Sequence, residues 1–507
     1  MRDSIGYAFA QYFVRATLMV RGLVAARFLG PEAWGSWNAI QLLMDSAPLA
    51  GLGTQQGLDQ AVPPAIVAGD PVALDRVKRA ALFNTVLLTG GFVVACLLAM
   101  AYGGGIILHS WGYLGIGAAA VCIFTTNLAY YQSSIMRSHG NIGTASGWLL
   151  IQGGVGASLG LLLLPGLHVW GLLAGWMAGC LAAFAFSIAR SRAHAPLAPR
   201  PATESLELLQ VGFPMYVFNV SSKLLMRMLD RLVILHYFNL TALGYYSLSA
   251  TALALLMNIP DSITFVMYPR LLRQFSEGGR DIASIRPRVE RVLWMFAVIL
   301  PPVCGVAYLC SQPAVVLLLP GYAPGVTAMK VLCFGAVGLA FAGFASIVLM
   351  TLGRQRMMIP AALAGLAIYA GFDVFAARTW HTITSVAWAT LLAYATHSIV
   401  VLALALLGLG MRDRRLITTM TGLHLPLALA LVLSIALDRF LPWADRPGVA
   451  WTLARLGTSL VAFVAAYLAV LYPAIRGTGM LEAISELDLP AISPLARRLV
   501  RERRGRS

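Results

Sequence analysis

The sequence predicts an all-α, polytopic membrane protein of about 14 transmembrane helices, arranged as two six-helix lobes followed by two C-terminal helices. Of its 507 residues 59% are hydrophobic and only 11% are charged, with a mean hydropathy of +0.77, whereas soluble domains use about 25% charged residues. Fourteen apolar runs, each near the ~20 residues needed to cross a bilayer, are bounded by Gly, Pro or charge. Lys and Arg concentrate between alternate runs, as membrane topology requires.

The first lobe, residues 1–190, takes the runs 5–28, 35–57, 81–102, 113–136, 145–165 and 168–189. Its first run stops at Leu29-Gly30-Pro31-Glu32. Gly30 suits a helix C-terminal cap, while Pro31 and Glu32 suit the first turn of the next helix, so this is a tight extracytoplasmic hairpin. Residues 191–207 read as a cytoplasmic linker. The second lobe, 208–410, takes 208–237, 243–268, 289–310, 325–350, 357–377 and 383–408, punctuated by Pro214, Pro260, "LPGYAP" and "TLGRQRM". Runs 416–437 and 450–473 form the two additional helices within 411–475, and 476–507 is a basic cytoplasmic tail.

Orientation follows from the cations. The N-terminus, the even-numbered connections with their flanks and the tail hold 26 Lys and Arg, against three (Arg378, Arg439, Arg446) in the odd-numbered connections. Both termini are therefore expected in the cytoplasm, with the chain a multi-pass protein of the bacterial cytoplasmic (inner) membrane. No odd-numbered connection is long enough to make a domain. The basic tail reads as a topology anchor touching anionic lipid headgroups.

The net charge of +16 is thus a topology signal; neither a basic face nor a binding motif supports a nucleic-acid partner. Six cysteines lie in apolar runs without CxxC or Cys/His spacing, so they fill core volume, and neither a disulfide framework nor a metal site is indicated. No GxxxxGK[ST] loop, HExxH or nucleophile elbow is present. "GLGTQQG" (51–57) has the wrong spacing for a dinucleotide fingerprint. No cofactor and no enzymatic activity are expected.

A weak internal repeat aligns "LVAARFLGPEAWGSWN" (23–38) on "LVILHYFNLTALGYYS" (232–247), with Leu23, Val24, Ala33 and Gly35 meeting identical residues 209 positions later. Six runs separate the copies, so the halves share one orientation, as in two-lobed transporters with a central site.

Charges inside the apolar runs are the functional candidates, because a charge near mid-bilayer costs at least about 2.5–3.5 kcal/mol. Arg15 and Arg21 lie within the first run, and Arg27 reaches the interface and snorkels. Steps of six residues turn a helix by about 240°, so at most two of the three face one cavity; Arg15 and Arg21 are favoured. In "KLLMRMLDR", Lys223, Arg227, Asp230 and Arg231 fall at i, i+4, i+7 and i+8, one cationic helix face. Asp45 is placed to neutralise Arg15 or Arg21 or to carry a proton. Lys330, Asp373 and Arg455 sit near extracytoplasmic ends and are expected to snorkel; His236, His381 and His397 read as structural.

These residues carry a resemblance. "RGLVAARFLGPEAWGSWNAIQLLMDSAPLAGLGTQQGLDQAVP" resembles the N-terminal signature of the Wzx-type polysaccharide repeat-unit flippases of the multidrug/oligosaccharidyl-lipid/polysaccharide exporter superfamily: an apolar helix, A-R-x-L-G-P-E-x-Y-G, a second helix and a D-x-G-L-G-like ending. Trp34 fills the variable position, Ser36 and Trp37 follow Gly35, and the Asp before the final glycines is missing. "LLQVGFPMYVFNVSSKLLMRMLDRLVILHYFNLTALGYYSLS" is similar to the family's second-half element, with Asn239-Leu240-Thr241 in place of Gly-Pro-Glu. The resemblance implies a flippase that carries undecaprenyl-diphosphate-linked oligosaccharide units to the periplasmic leaflet by alternating access, for O-antigen, lipopolysaccharide or exopolysaccharide synthesis. It gives Arg15, Arg21, Lys223, Arg227 and Arg231 the diphosphate to hold, with Asp45 and Asp230 as counter-ion or coupling groups. Its partners would be the lipid-linked oligosaccharide, membrane lipids and polymerase or other assembly proteins. The rival readings are a peptidoglycan-precursor (lipid II) flippase, a drug exporter of the superfamily, whose cavity would favour surplus acid, and a glycan polymerase or ligase, which would carry a large extracytoplasmic loop.

Overall fold

A computed structural model describes residues 2–103, 106–191, 194–196, 198–201, 203–221, 228–440 and 449–477, and every regular element among them is helical. The chain divides into two compact units, Met1–Ser247 and Leu248–Ser507. The first holds α1 (Arg2–Asp45), a 3-10 turn (Ala47–Gly51), α2 (Thr54–Ala68), α3 (Pro71–Gly103), α4 (Ile106–Ser138), α5 (Ile142–Ser191), α6 (Glu204–Asn219), α7 (Leu229–Tyr237) and the start of α8 (Leu240–Glu277). The second holds the rest of α8, then α9 (Ile282–Leu318), α10 (Val326–Cys333), α11 (Gly335–Thr351), α12 (Met358–Trp380), α13 (Ile383–Gly408), α14 (Asp413–Phe440) and α15 (Val449–Gly477).

Among the described residues ten helical stretches are long and apolar enough to cross a membrane. One of them, Gly147–Ser191, has 45 residues, about 67 Å of helix, more than twice a ~30 Å hydrocarbon core. It folds back at His168 (φ 49°), and the two arms meet so closely that a Cβ on Gly175 would lie 2.2 Å from the Gly160 nitrogen. Small residues at such a seam let membrane helices approach without a hydrophobic driving force. The protein is therefore a multi-pass membrane protein.

α1 is likewise two arms, joined at Gly30 (φ 76°, ψ 174°) and followed by Pro31. In a straight helix residues 21 and 37 would stand about 24 Å apart. The Arg21 guanidinium instead lies 5.1 Å from the Trp37 ring centroid, so the arms double back at Leu-Gly-Pro-Glu. The second arm does not continue unbroken to residue 57. It stops at Asp45, and a left-handed pair, Leu52 and Gly53 (φ 41° and 99°), starts α2 anew. In the second copy of the repeat, Asn239 occupies the Gly30 position, and its side-chain oxygen accepts the Ala242 N–H at 2.8 Å, an N-cap in place of a glycine turn.

The boundary between units falls inside α8, past the stretch 191–207 where the lobe boundary was expected. Glycines account for it. A Cβ on Gly35 would lie 1.7 Å from the Leu240 carbonyl oxygen, and one on Gly244 would lie 1.9 Å from the Pro31 carbonyl oxygen. These glycines are the identical pair of the internal repeat, and the carbonyls they meet are themselves 209 residues apart, so the two copies pack on each other reciprocally. Further along, Gly53, the N-cap of α2, and Gly57 on α2 meet Gly212 and Leu208 on α6, again with backbone in the way of any added Cβ. Leu58, Val62, Ala80, Tyr131, Ile135 and Leu208 complete the core around that crossing.

In the second unit Lys330 does not snorkel. It is 6% exposed, and its ammonium reaches both oxygens of Asp438 at 2.9 and 2.8 Å and Gln312 at 2.9 Å, with the Tyr308 ring 5.4 Å away. This pins α14 to α9 and α10. Asp373 and Arg455 are buried as well; Asp373 accepts the Thr390 hydroxyl across α12 and α13 at 3.1 and 3.2 Å. The six cysteines are free thiols, four of them buried.

Candidate functional site

The doubling-back of α1 builds the charged centre of the first unit. Arg21 comes from the first arm and Trp37 from the second, and Trp176 from the second arm of α5 closes the other side, again 5.1 Å from the guanidinium. Arg21 is only 3% exposed. Each stacked aromatic face is worth about 0.5–2 kcal/mol, so two of them are comparable with the ~2.5–3.5 kcal/mol cost of the buried charge. Two guanidinium nitrogens, Nε and Nη1, have no hydrogen-bond partner among the described residues. The indoles therefore hold the cation while leaving donors unspent.

Asp45, at the end of α1 and half-buried, interacts electrostatically with Arg231 on α7 and more weakly with Arg21. One carboxylate thus faces two cations, one just ahead of each copy of the repeat. Asp230, 2% exposed, accepts the Arg231 backbone N–H at 2.8 Å within the first turn of α7, where an acid complements the helix dipole. Asp230 stands 209 residues after Arg21, so the same offset, two positions ahead of the aligned segments, relates two buried charges of opposite sign. Arg15, on the first arm of α1, is exposed, and Arg231 is half-buried. Lys223 and Arg227 lie outside the described residues.

Asp45 therefore feels the charge of Arg231 and of Arg21, Asp230 adjoins Arg231 in sequence, and Arg15 lies on an exposed part of α1. Sequence reasoning missed Trp37 and Trp176. Seven residues after Gly30, Trp37 is where a hairpin would return it toward Arg21, a usable signal; Trp176 lies 155 residues from Arg21 and offers none.

Residues 24–321, more than half of the chain, match the family described as "Polysaccharide biosynthesis protein". The chain belongs to this family. The matched region contains Asp45, Trp37, Trp176, Asp230 and Arg231 together with both repeat glycines. This polysaccharide-biosynthesis family member is similar in fold to solved transporters. It superposes on a lipid II flippase, MurJ, in an inward closed conformation, with a TM-score of 0.68, 13% identity, and coverage of 93% of this chain and 100% of that one. An inward-facing multidrug resistance MATE family transporter of the MOP superfamily follows at 0.65, 15% identity, 80% and 98% coverage. An outward-facing one gives 0.56, 17%, 81% and 94%. No curated protein matches the family member in sequence. At these identities the likeness establishes the fold, a polytopic transporter fold shared with flippases and exporters.

Proposed function

We propose that this chain is a flippase that moves undecaprenyl-diphosphate-linked oligosaccharide repeat units from the cytoplasmic to the periplasmic leaflet of the inner membrane, with both termini cytoplasmic. The observation that carries the reading is that Asp45 feels the charge of both Arg231 and Arg21, in runs the sequence reads as membrane-spanning, within a polysaccharide-biosynthesis family member. Arg21 and Arg231 balance Asp45 and Asp230, and Arg15, Lys223 and Arg227 add the surplus positive charge, the polarity a diphosphate needs. Arginine offers bidentate donors to phosphate oxygens.

In this reading Arg15 and Arg231, together with Lys223 and Arg227, meet the diphosphate directly. Arg21 adds its charge from between the indoles, through a low-dielectric interior that screens little, and its unspent donors are available once the helices shift. Asp45 and Asp230 keep the cations oriented in the empty site. The isoprenoid stays in the bilayer while the glycan crosses by alternating access. Two negative charges moving outward, away from a negative interior, gain about 2.3 kcal/mol per charge per 100 mV when they cross the full potential. O-antigen or exopolysaccharide assembly proteins, including a polymerase, would receive the product.

A second reading, a peptidoglycan-precursor flippase, draws on the fold likeness to MurJ over the whole of that chain. Deleting the gene and extracting lipids from spheroplasts separates the two. A polyprenyl-diphosphate oligosaccharide of the surface polymer should accumulate on the cytoplasmic leaflet; accumulation of the peptidoglycan precursor instead would reject the first reading in favour of the second.

A further inference from the structure

Two helix crossings in the first unit share one construction. Pro31 and Gly35 face Leu240 and Gly244, and Gly53 and Gly57 face Leu208 and Gly212. The members of each pair stand four residues apart, about one helical turn. The later member is always a glycine, and its added Cβ would fall within 2.1 Å of the earlier member's carbonyl oxygen across the crossing: Gly35 on Leu240, Gly244 on Pro31, Gly57 on Leu208 and Gly212 on Gly53. Glycine places a hydrogen there instead. With a Cα–Cβ bond of about 1.5 Å, each Cα lies no more than about 3.6 Å from that oxygen, the separation of a Cα–H···O hydrogen bond. Each crossing is therefore closed by a reciprocal pair of such bonds between backbones, with no side chains interlocked, so it can part and re-form without a rotamer change.

The placement of the crossings gives that parting a use. Along both chains the charges fall between them, Asp45 between Gly35 and Gly53 and Arg231 between Gly212 and Gly244, and Asp45 feels the charge of Arg231. Both chains are also jointed there. The second arm of α1 stops at Asp45, and α2 restarts at Thr54 through left-handed Leu52 and Gly53; α6 ends at Asn219, and α7 begins at Leu229. One crossing can thus open while the other stays shut. The first lies at the Leu-Gly-Pro-Glu hairpin. The second lies beside the stretch 191–207, where Asn84 donates to the Ser205 carbonyl at 2.8 Å and Arg76 approaches Glu204 at 3.6 Å.

We infer that these crossings are two gates of one path: Pro31–Gly35 on Leu240–Gly244 closes it to the periplasm, and Gly53–Gly57 on Leu208–Gly212 closes it to the cytoplasm. The inference rests on the flippase reading for what passes and for which side is which. Where passage is blocked follows from the matched crossings alone.

Ser46→Cys, a near-isosteric change beside Asp45 at a position 7% exposed, reports on the space between the gates. Its alkylation by a membrane-impermeant maleimide is measured in right-side-out and in inverted vesicles, above the labelling of protein that keeps Ser46. Labelling should be slow from both sides. Adding Gly35→Ala should speed it about tenfold or more from the periplasmic side only, and adding Gly57→Ala should do so from the cytoplasmic side only, since each methyl overpacks one closed crossing. Asn239→Ala, which uncaps α8 beside Leu240, and Asn84→Ala, which frees the Ser205 carbonyl, should act with the same sidedness and serve where the glycine variants lower the yield of folded protein. Unchanged labelling in folded variants, or equal acceleration from both sides, overturns the gates. The labelling needs no substrate. Sided opening without glycan movement would therefore keep the gates and reject the flippase reading, and glycan movement with unsided labelling would do the reverse.

Discussion

Gly35→Ala tests the reciprocal packing of the two repeat copies. The new Cβ would sit 1.7 Å from the Leu240 carbonyl oxygen and 2.6 Å from its carbon, where 3.4–4 Å is ordinary contact. Both obstacles are backbone, so no side chain can rotate away, and the second arm of α1 must part from α8 by about 1.7 Å. The cost belongs at or above the upper end of the ~1–3 kcal/mol seen for overpacked cores. Gly91→Ala supplies the control, because nothing lies within 4 Å of its added Cβ in exposed mid-α3 and a helical Gly→Ala change stabilises by about 0.5–1 kcal/mol. Thermal unfolding of the two variants in one detergent should therefore give Tm shifts of opposite sign. Gly35→Ala/Gly244→Ala should cost less than the sum of the single changes, since the second methyl enters a gap the first has opened. A Gly35→Ala protein with wild-type Tm, or strict additivity in the double variant, would refute the reciprocal contact.

Removing either member of a buried pair leaves the other charge exposed to a poor solvent. Lys330→Met should cost about 3–5 kcal/mol by denaturant or thermal unfolding, and Lys330→Met/Asp438→Leu should recover most of it. Arg21→Gln and Asp45→Asn should couple in a double-mutant cycle by about 0.5–3 kcal/mol, and zero coupling would separate Asp45 from Arg21. His139 lies beyond the end of α4, its ring 4.7 Å from that of His194. Burial, with the nearby positive charge of Lys78 and His194, holds its imidazole below the ordinary value of 6.5 despite a bond to the Ile135 carbonyl. The unfolded chain then binds the proton more readily, so stability is full above about pH 6.5 and falls as pH drops from there through the lowered folded value. His139→Gln should flatten Tm over that window; an unchanged slope would assign it elsewhere.

Much of this architecture was legible in the sequence because apolar length and Gly-Pro punctuation act locally. "LGPEAWG" announced a hairpin through Gly30 and Pro31, and the doubling-back of α1 follows. The break between Asp45 and Thr54 carries its own punctuation, Asp45, Pro48, Gly51 and Gly53, which reading 35–57 as one apolar run passed over. Lys330 looked like a snorkelling cation because Asp438 is 108 residues away, and no local pattern reveals so distant a counter-ion. The charges themselves stood out at once in an apolar run. What Arg21 touches did not, since Trp37 and Trp176 are brought to it only by two separate fold-backs, at Gly30 and at His168.

Leaflet-resolved translocation of a labelled polyprenyl-diphosphate oligosaccharide, in proteoliposomes holding this protein alone, tests the central claim most directly. Transport above that of empty liposomes, lost in Arg15→Ala and Arg231→Ala proteins that insert and unfold normally, is the predicted result. Wild-type rates in those variants, or no movement of several glycans under imposed potential and ion gradients, would contradict a cationic flippase site.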